Sequence, residues 1–317
     1  MTIINIYKRL RIIQFFINYF YRFPRSKWQN IERFGGLREY IILRKNKAQM
    51  IDKSFFLPEI RSYKEGLKIY ILTGQQYLYQ TLFCAYSLCK TTDEKIQFIL
   101  VDDGSFNKKL INRINKQMPD VKMILKDEIS QNLNNVIPRK QYPYLHHKRK
   151  VYPHIKKITD IHTIGDDDFK LVLDSDMLFW NNPIEMIKWL KNPHGCLHML
   201  DTVESYGFDK QLMKFLCGSE IPELLNVGVF GMQSNTINWG DLENWSKNLE
   251  ENSGPSYFLE QALSTMLAAN RNRTILTKKD YVVNPDEDSP YFTDVKLHHY
   301  VDLSKKYYFN AAWKKFI

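Results

Sequence analysis

The sequence predicts an α/β fold, in which a mostly parallel central sheet is flanked by helices and preceded by a basic helical extension. From Leu67 onward, short apolar runs typical of buried strands alternate with segments that carry apolar residues three and four apart, the spacing of a helix. Strands that alternate with helices in this way pair in parallel through right-handed crossovers. The residues before Leu67 are strongly basic instead. We therefore expect an extension over residues 1–66 and one domain over residues 67–317.

The charge of the chain is concentrated in the extension. The 317 residues carry a net charge of +10, and residues 1–64 hold 14 Lys and Arg against 4 Asp and Glu, so this segment accounts for all of it. The domain is therefore neutral, and the basic isoelectric point does not indicate an acidic ligand. The four cysteines show neither metal-binding spacing nor a disulfide framework, and they therefore favour a reducing compartment. They are Cys84, Cys89, Cys196 and Cys217.

Residues 1–23 predict an amphipathic helix. Its longest uncharged run covers residues 12–21, about half of the ~20 residues that a membrane-spanning helix needs, and no signal-peptide cleavage site follows. A basic amphipathic helix can lie on an anionic membrane surface; it can equally pack on the domain or on a second subunit. We expect a cytoplasmic protein, attached to the inner face of a membrane if the first alternative holds. The apolar stripe consists of Ile3, Ile6, Leu10, Ile13, Ile17 and Phe20. Residues 24–66 predict irregular helix and loop.

The first strands of the domain end in polar residues. A strand over residues 68–72 ends at Thr73 and Gly74, and a strand over residues 96–101 ends at Asp102 and Asp103. Helical spacing follows each of them, and a third strand is predicted over residues 121–125. Ligands of parallel sheets bind beyond the carboxyl ends of the strands. The backbone of residues 72–74, which includes Leu72, can therefore hold a nucleotide base. Asp102 or Asp103, at the end of the second strand, can accept hydrogen bonds from ribose hydroxyls. The alternative for both acids is a plain turn.

Two acids follow the next predicted strand. Residues 171–173 form an apolar run typical of a buried strand, and Asp174 and Asp176 come directly after it. Residues two apart in an extended segment share a face, so one divalent cation, Mg²⁺ or Mn²⁺, can satisfy both carboxylates. A turn at the strand end is the alternative, but the apolar residues 177–180 that follow are not typical of a solvated turn.

This stretch resembles a known family. Leu173-Asp-Ser-Asp-Met-Leu-Phe179, followed by Pro183, is similar to the DxD region of nucleotide-sugar glycosyltransferases with the GT-A fold, and most narrowly to the LDSDMLV…P pattern of glycosyltransferase family eight. The resemblance implies an enzyme that moves a hexose from a nucleotide-diphosphate donor, a UDP-sugar, with Mn²⁺ or Mg²⁺ and with retention of configuration. It implies a glycan, a lipid-linked sugar or a protein as acceptor, cell-surface polysaccharide synthesis as the setting, and no nucleic acid as partner. Ser175 inside the motif is assigned to donor binding.

The C-terminal segment extends this resemblance. His299-Tyr-Val-Asp-Leu-Ser-Lys305-Lys306 is similar to the family's His-x-x-Gly-x-x-Lys-Pro-Trp, although Asp302 replaces the glycine and no proline follows the lysine. The resemblance implies that His299 is a third metal ligand and that Lys305 or Lys306 neutralises the leaving diphosphate. A structural role for His299 is the alternative.

Three shorter motifs follow the family's order along the chain. Arg149 with Pro153 resembles its Arg-x-x-x-Pro string, which implies a donor contact; a solvated basic run is the alternative. The string Asn226-Val-Gly228 resembles its Asn-Ser-Gly, on a strand near the transferred sugar. Glu260-Gln261 resembles the start of its Asp-Gln-Asp, which implies hydrogen bonds to sugar hydroxyls; a solvated helix face is the alternative.

Three other functions are open at this point. Asp102-Asp-Gly-Ser105 also resembles a string of inverting family-two glycosyltransferases, which would require a carboxylate base such as Asp201 or Glu204. A nucleotidyltransferase on the same fold would carry a glycine-rich loop after the first strand, where the chain has only Thr73-Gly74. A non-enzymatic protein that binds membrane or nucleic acid would explain the basic extension but not the paired acids.

Overall fold

The computed structural model describes residues 23–165, 167–288 and 294–317. The extension contributes two helices, α1 (Phe23–Arg33) and α2 (Leu37–Lys53). The strands are β1 (Leu67–Thr73), β2 (Ile96–Asp102), β3 (Lys122–Ile124), β4 (Phe169–Leu173), β5 (Met177–Phe179), β6 (Cys196–Leu200), β7 (Leu225–Gln233), β8 (Arg273–Ile275), β9 (Tyr281–Val283) and β10 (Leu297–His299). The remaining helices are α3 (Leu78–Thr91), α4 (Lys108–Gln117), α5 (Lys126–Val136), α6 (Pro143–Val151), α7 (Lys156–Thr159), α8 (Ile184–Lys191), α9 (Lys210–Cys217), α10 (Trp239–Ser253), α11 (Leu259–Ala268) and α12 (Lys305–Asn310).

Among the described residues, seven strands form the central sheet, in the order β3-β2-β1-β4-β7-β6-β8. Every neighbouring pair is parallel except the two pairs that involve β7, which runs against β4 and β6. The predicted α/β class with a mostly parallel sheet is therefore confirmed. Strand β2 is buried along its whole length, as expected of a strand covered by helices on both faces. The carboxyl ends of β1, β2 and β4 lie at one edge, so the three polar tips meet there.

A small second sheet brings the C-terminal segment to this edge. Its order is β5-β10-β9, and β10 pairs antiparallel with β5 so that His299 stands opposite Met177. The Tyr300 N–H donates to the Asp176 carbonyl at 2.9 Å. This pairing places His299 beside the acids that follow β4, although more than 120 residues separate them in sequence.

The extension packs on the domain. Residues 24–66 were predicted as irregular helix and loop. The loop is present over residues 57–66, but most of the segment forms the regular helices α1 and α2, whose inward residues Leu43 and Met50 join the main hydrophobic core. Burial of such side chains contributes about 1.5–3 kcal/mol each. Helix α2 lies against α12, where the Asn46 amide donates to Asn310 at 2.9 Å. The helix predicted over residues 1–23 lies, but for its last residue, outside the described residues. Within the described ranges, no helix has the length and apolar character needed to cross a membrane.

Candidate metal and donor site

Two carboxylates and one imidazole converge at the carboxyl end of β4. One ligand atom from each of Asp174, Asp176 and His299 lies within 4.8 Å of the others. His299 Nε2 is 3.7 Å from Asp174 Oδ2 and 3.4 Å from Asp176 Oδ1. The two acids are half-buried, whereas His299 is buried. A cluster of two oxygen ligands and one nitrogen ligand suits Mn²⁺ or a similar divalent cation.

The hydrogen bonds of His299 favour a metal-ligating tautomer. Its Nδ1 lies 3.2 Å from Asn226 Oδ1, which also accepts the Gly228 N–H at 2.9 Å, while the Asn226 amide nitrogen donates to Asp201 at 3.1 Å. Because Oδ1 can only accept, Nδ1 carries the proton and Nε2 offers a lone pair toward the two carboxylates. Nε2 is buried and has no hydrogen-bond partner among the described residues. A buried ring nitrogen without a partner, facing two carboxylates, fits a cation at this place.

Gly228 permits this approach of the histidine. A methyl group on its Cα would overlap the His299 ring and the end of the Met177 side chain. The Gly228 carbonyl also accepts the Asp174 N–H at 2.8 Å. The glycine in the Asn226-Val-Gly228 motif therefore lets β7, β10 and the acidic loop meet in one place.

Two lysines form ion pairs with the oxygens of Asp174 and Asp176 that face away from His299. Lys157 Nζ lies 2.7 Å from Asp174 Oδ1, and Lys305 Nζ lies 3.2 Å from Asp176 Oδ2. Burial by itself raises the pKa of Asp176, but opposing effects, of which the positive charge of Lys305 is the largest, hold that pKa below its ordinary value. Asp176 raises the pKa of Lys305, against the smaller effect of burial. The ion pair of Lys305 and Asp176 therefore persists at neutral pH. Each aspartate keeps one oxygen for a cation.

Lys157 was missed by the sequence analysis. It stands on the short helix α7 and lies 3.4 Å from Glu260 Oε2 in addition to its contact with Asp174. Its neighbour Lys156 donates instead to the carbonyl of Asp103 at 2.5 Å. The two adjacent lysines are alike in sequence, and only the orientation of α7 assigns one to each loop.

Glu260 is a buried acid rather than part of a solvated helix face. It is 6% exposed at the start of α11. Burial raises the pKa of Glu260 to about 7, with Lys157 opposing the rise and Asp174 adding to it. Gln261 donates to Asp201 Oδ2 at 3.2 Å and to the Leu225 carbonyl at 2.9 Å. Asp201 thus connects Gln261 to Asn226, which in turn contacts the candidate metal ligand His299.

The tips of β1 and β2 form a shared polar loop beside these residues. Asp102 accepts the N–H groups of Gly104 and Phe106 at 2.7 and 3.0 Å, and Asp103 accepts both the N–H and the hydroxyl of Ser105. The turn contacts named as the alternative are therefore present for both acids. Gly74 leaves room for the Asp103 carboxylate, which a Cβ would overlap.

The tips of β1 and β4 also carry three predicted donor-binding residues. The Thr73 hydroxyl turns inward to Thr81 at 2.7 Å, so this side chain is not directed toward a donor. Leu72 and Ser175 are half-buried at the ends of β1 and β4.

Two predicted residues lie away from this cluster. Arg149 forms a bidentate ion pair with Asp160, at 2.6 and 2.7 Å, so its guanidinium is held within its own part of the chain. Lys306 pairs with Glu39 of the extension at 3.1 Å. Lys305, not Lys306, is the lysine that faces the acids.

Comparisons with known proteins give structural similarity only. No protein-family model matches the chain, and no curated protein matches its sequence. Mouse xyloside xylosyltransferase 1 is 11% identical with a TM-score of 0.48, covering 76% of this chain and 97% of that one. The galactosyltransferase LgtC, solved with donor and acceptor sugar analogs, is 15% identical with a TM-score of 0.47. The match covers 74% of this chain and 86% of that one. The glycosyltransferase GlyE of Streptococcus pneumoniae is 12% identical with a TM-score of 0.43. The match covers 78% of this chain and 61% of that one. Each is named as a glycosyltransferase, the class that the sequence motifs resemble.

Replacing Asn226 by Ala is expected to weaken Mn²⁺ binding about 10–100-fold, the usual cost of losing the group that orients a metal-ligating histidine. Titration of the protein with Mn²⁺, followed by electron paramagnetic resonance, measures this affinity. Asn235→Ala is the matched control, since Asn235 is exposed and contacts Asp168 at the far end of the sheet. Equal Mn²⁺ affinities for the two variants would contradict the orienting role.

Glu260→Gln is expected to flatten the pH dependence of stability. Because the folded protein keeps a proton on Glu260 up to about pH 7 while the unfolded chain releases it near 4.5, this group lowers the free energy of unfolding as the pH rises through that window, by about 3 kcal/mol at most. Urea unfolding of metal-free protein at pH 5 and pH 7.5 measures the change. Exposed Glu251→Gln should keep the parental slope, and a Glu260→Gln protein with that same slope would refute the expectation.

Proposed function

We propose that the protein is a divalent-cation-dependent glycosyltransferase, which moves a sugar from a nucleoside-diphosphate donor to a glycan, lipid-linked or protein acceptor. The observation that carries this proposal is the cluster of Asp174, Asp176 and His299, with an unpartnered imidazole nitrogen facing two carboxylates. Those three side chains would hold Mn²⁺ or Mg²⁺. The cation would supply Lewis-acid stabilisation of the leaving diphosphate.

The charge balance supports a diphosphate as the group that binds there. The carboxylates of Asp174 and Asp176 are offset by Lys157 and Lys305, so a bound divalent cation leaves an excess of positive charge. Lys305, which is 40% exposed at its side chain, can turn from Asp176 to the leaving diphosphate. A fixed cationic group at the point where negative charge develops is an effective form of catalysis. Asp102 or Asp103 contacts the ribose or base, beside the backbone of Gly74.

The surroundings of Asp201 and Glu204 support retention over inversion. An inverting transfer needs a free carboxylate base on the far side of the sugar. Asp201 already accepts hydrogen bonds from Asn226, Gln261 and the Thr202 N–H. Glu204 pairs with Lys210 on the surface at 2.9 Å. We therefore assign Glu260, Gln261 and Asn226 to the transferred sugar and its surroundings, and UDP to the donor.

A thermal-shift screen of nucleotide-sugars, with Mn²⁺ and with chelator, tests this proposal. A ligand that binds the native state raises its apparent stability, so at least one UDP-sugar should raise the melting temperature in Mn²⁺ and lose most of that effect in chelator. Release of the nucleoside diphosphate from the same compound is the second readout. No shift and no release with any nucleotide-sugar would refute the proposal. We also propose a cytoplasmic location with peripheral attachment to the inner face of a membrane.

A further inference from the structure

Helix α2 presents two different faces. Its inward face carries Leu43 and Met50, which are 5% and 0% exposed and pack into the core. Its outward face carries Leu37, Ile41 and Ile42, which are 60%, 57% and 37% exposed. Residues four apart on a helix lie one above the other, so Leu37 and Ile41 form an apolar stripe along the outside of the protein.

Basic residues border this stripe. Four of them are exposed on the same side of α2, and Asp52 is the only exposed acid of that helix. Two aromatic residues continue the surface beyond the helix end: Phe55, 53% exposed, and Phe56, 80% exposed. The basic residues are Arg38, Arg44, Lys45 and Lys53. We call the combined surface of these residues and Leu37, Ile41 and Ile42 the α2 outer face.

The composition of the α2 outer face determines the partner that fits it. An exposed apolar stripe with basic flanks matches an anionic lipid surface, where the apolar side chains enter the headgroup boundary and the basic ones meet lipid phosphates. A second copy of this face, or the basic residues 1–22 of the same chain, would bring positive charge against positive charge. Charge complementarity therefore favours lipid over both of those occupants.

The α2 outer face is one helix away from the candidate active site. Glu39, on the inner side of α2, pairs with Lys306 of α12 at 3.1 Å. The preceding residue, Lys305, pairs with Asp176 at 3.2 Å. A membrane bound along α2 would therefore be separated from the candidate metal ligands by α2 and α12 alone.

We propose that the α2 outer face docks on an anionic membrane and presents the site to an acceptor carried by that membrane. The acceptor part of this inference rests on the proposed glycosyltransferase function; the docking part does not. The surface is distinct from residues 1–23, for which the sequence left membrane attachment and packing on the protein as alternatives.

Vesicle co-sedimentation of the full chain tests the docking. Vesicles contain phosphatidylcholine alone or phosphatidylcholine with about one-third phosphatidylglycerol, and the variants are the double replacements Leu37→Ser with Ile41→Ser, and Arg44→Ser with Lys45→Ser. We expect binding that requires the anionic lipid, falls as salt rises, and weakens roughly tenfold or more in each double variant. Controls are Phe215→Ser, an 82% exposed aromatic on α9, and Lys247→Ser on α10, which should bind like the parent chain.

Three results would overturn the proposal. They are equal vesicle binding by the parent and both double variants, equal binding to uncharged vesicles, and a parent dimer in sedimentation velocity that the Leu37→Ser/Ile41→Ser variant converts to monomer. The first would assign membrane binding to residues 1–22, and the third would assign the face to a second copy of the chain. Thermal shift of the same variants with UDP-sugar and Mn²⁺ is measured in parallel, so failure of docking and failure of donor binding remain distinguishable.

Discussion

Replacing Asp176 by Asn is expected to lower the rate of nucleoside-diphosphate release from the donor by roughly 10²–10³-fold, the scale of losing one group that stabilises developing charge. Asp176 Oδ1 faces His299 Nε2 and its Oδ2 holds Lys305, so the amide removes a metal ligand and releases the lysine together. Asp174→Asn should have an effect of the same order. The assay measures hydrolysis of the UDP-sugar found in the screen, at saturating Mn²⁺.

Asp120→Asn is the control for these variants, because Asp120 is an exposed acid in a left-handed conformation that asparagine also tolerates. It should retain the parental rate. Calorimetric melting in the absence of metal checks that all three variants are folded at the assay temperature, because the two site replacements also break the ion pairs with Lys157 and Lys305. A rate for Asp176→Asn within a factor of two of the parent would exclude this carboxylate from the reaction.

Replacing Lys157 by Met is expected to destabilise the metal-free protein by about 3–5 kcal/mol, the usual cost of removing one partner from a buried ion pair. The change leaves Asp174 and Glu260 close together without their common cation. Burial by itself lowers the pKa of Lys157, but Asp174 and Glu260 outweigh it and raise that pKa above its ordinary value. The ammonium group is therefore charged, and losing it is costly. Calorimetric melting at pH 7.5 measures the effect.

Two further variants separate charge from packing at Lys157. Lys157→Arg keeps the charge and should lose less stability than Lys157→Met. Lys156→Met, which removes only a contact to the Asp103 carbonyl, should stay close to the parent. Added Mn²⁺ should raise the melting temperature of Lys157→Met more than that of the parent, because the cation replaces the missing positive charge. Equal stability of Lys157→Met and Lys156→Met would contradict this account.

Local patterns were sufficient to predict the acids and the sheet. The run of residues 171–173 ending in Asp174 is a strand followed by its polar tip, and both strand and tip are encoded within six residues. The helices of the extension were harder to predict, because the apolar pattern of α2 is weak. Its outer face carries Leu37 and Ile41, which are exposed to solvent. Tertiary contacts with α12, rather than periodicity, hold it in place.

Residues whose roles depend on the orientation of their helix could not be predicted from the sequence. Lys157 and Lys156 are neighbours of the same type, yet they contact different loops, because successive side chains of a helix point about 100° apart. Lys305 and Lys306 separate in the same way, one toward Asp176 and one toward Glu39. In each pair, the orientation of the helix in the fold decides which lysine points toward the acids. The spacing of residues in the sequence does not give that orientation.

The most direct test of the cation-dependent site is the thermodynamic coupling between Mn²⁺ and UDP. Isothermal titration calorimetry measures the affinity for UDP with Mn²⁺ and with chelator, and the affinity for Mn²⁺ with and without UDP. If Asp174, Asp176 and His299 hold the cation that binds the diphosphate, each ligand should tighten the other by the same factor, about tenfold or more, and Asp176→Asn should abolish the coupling. A UDP affinity that is identical with Mn²⁺ and with chelator, or a coupling that Asp176→Asn leaves intact, would contradict the account.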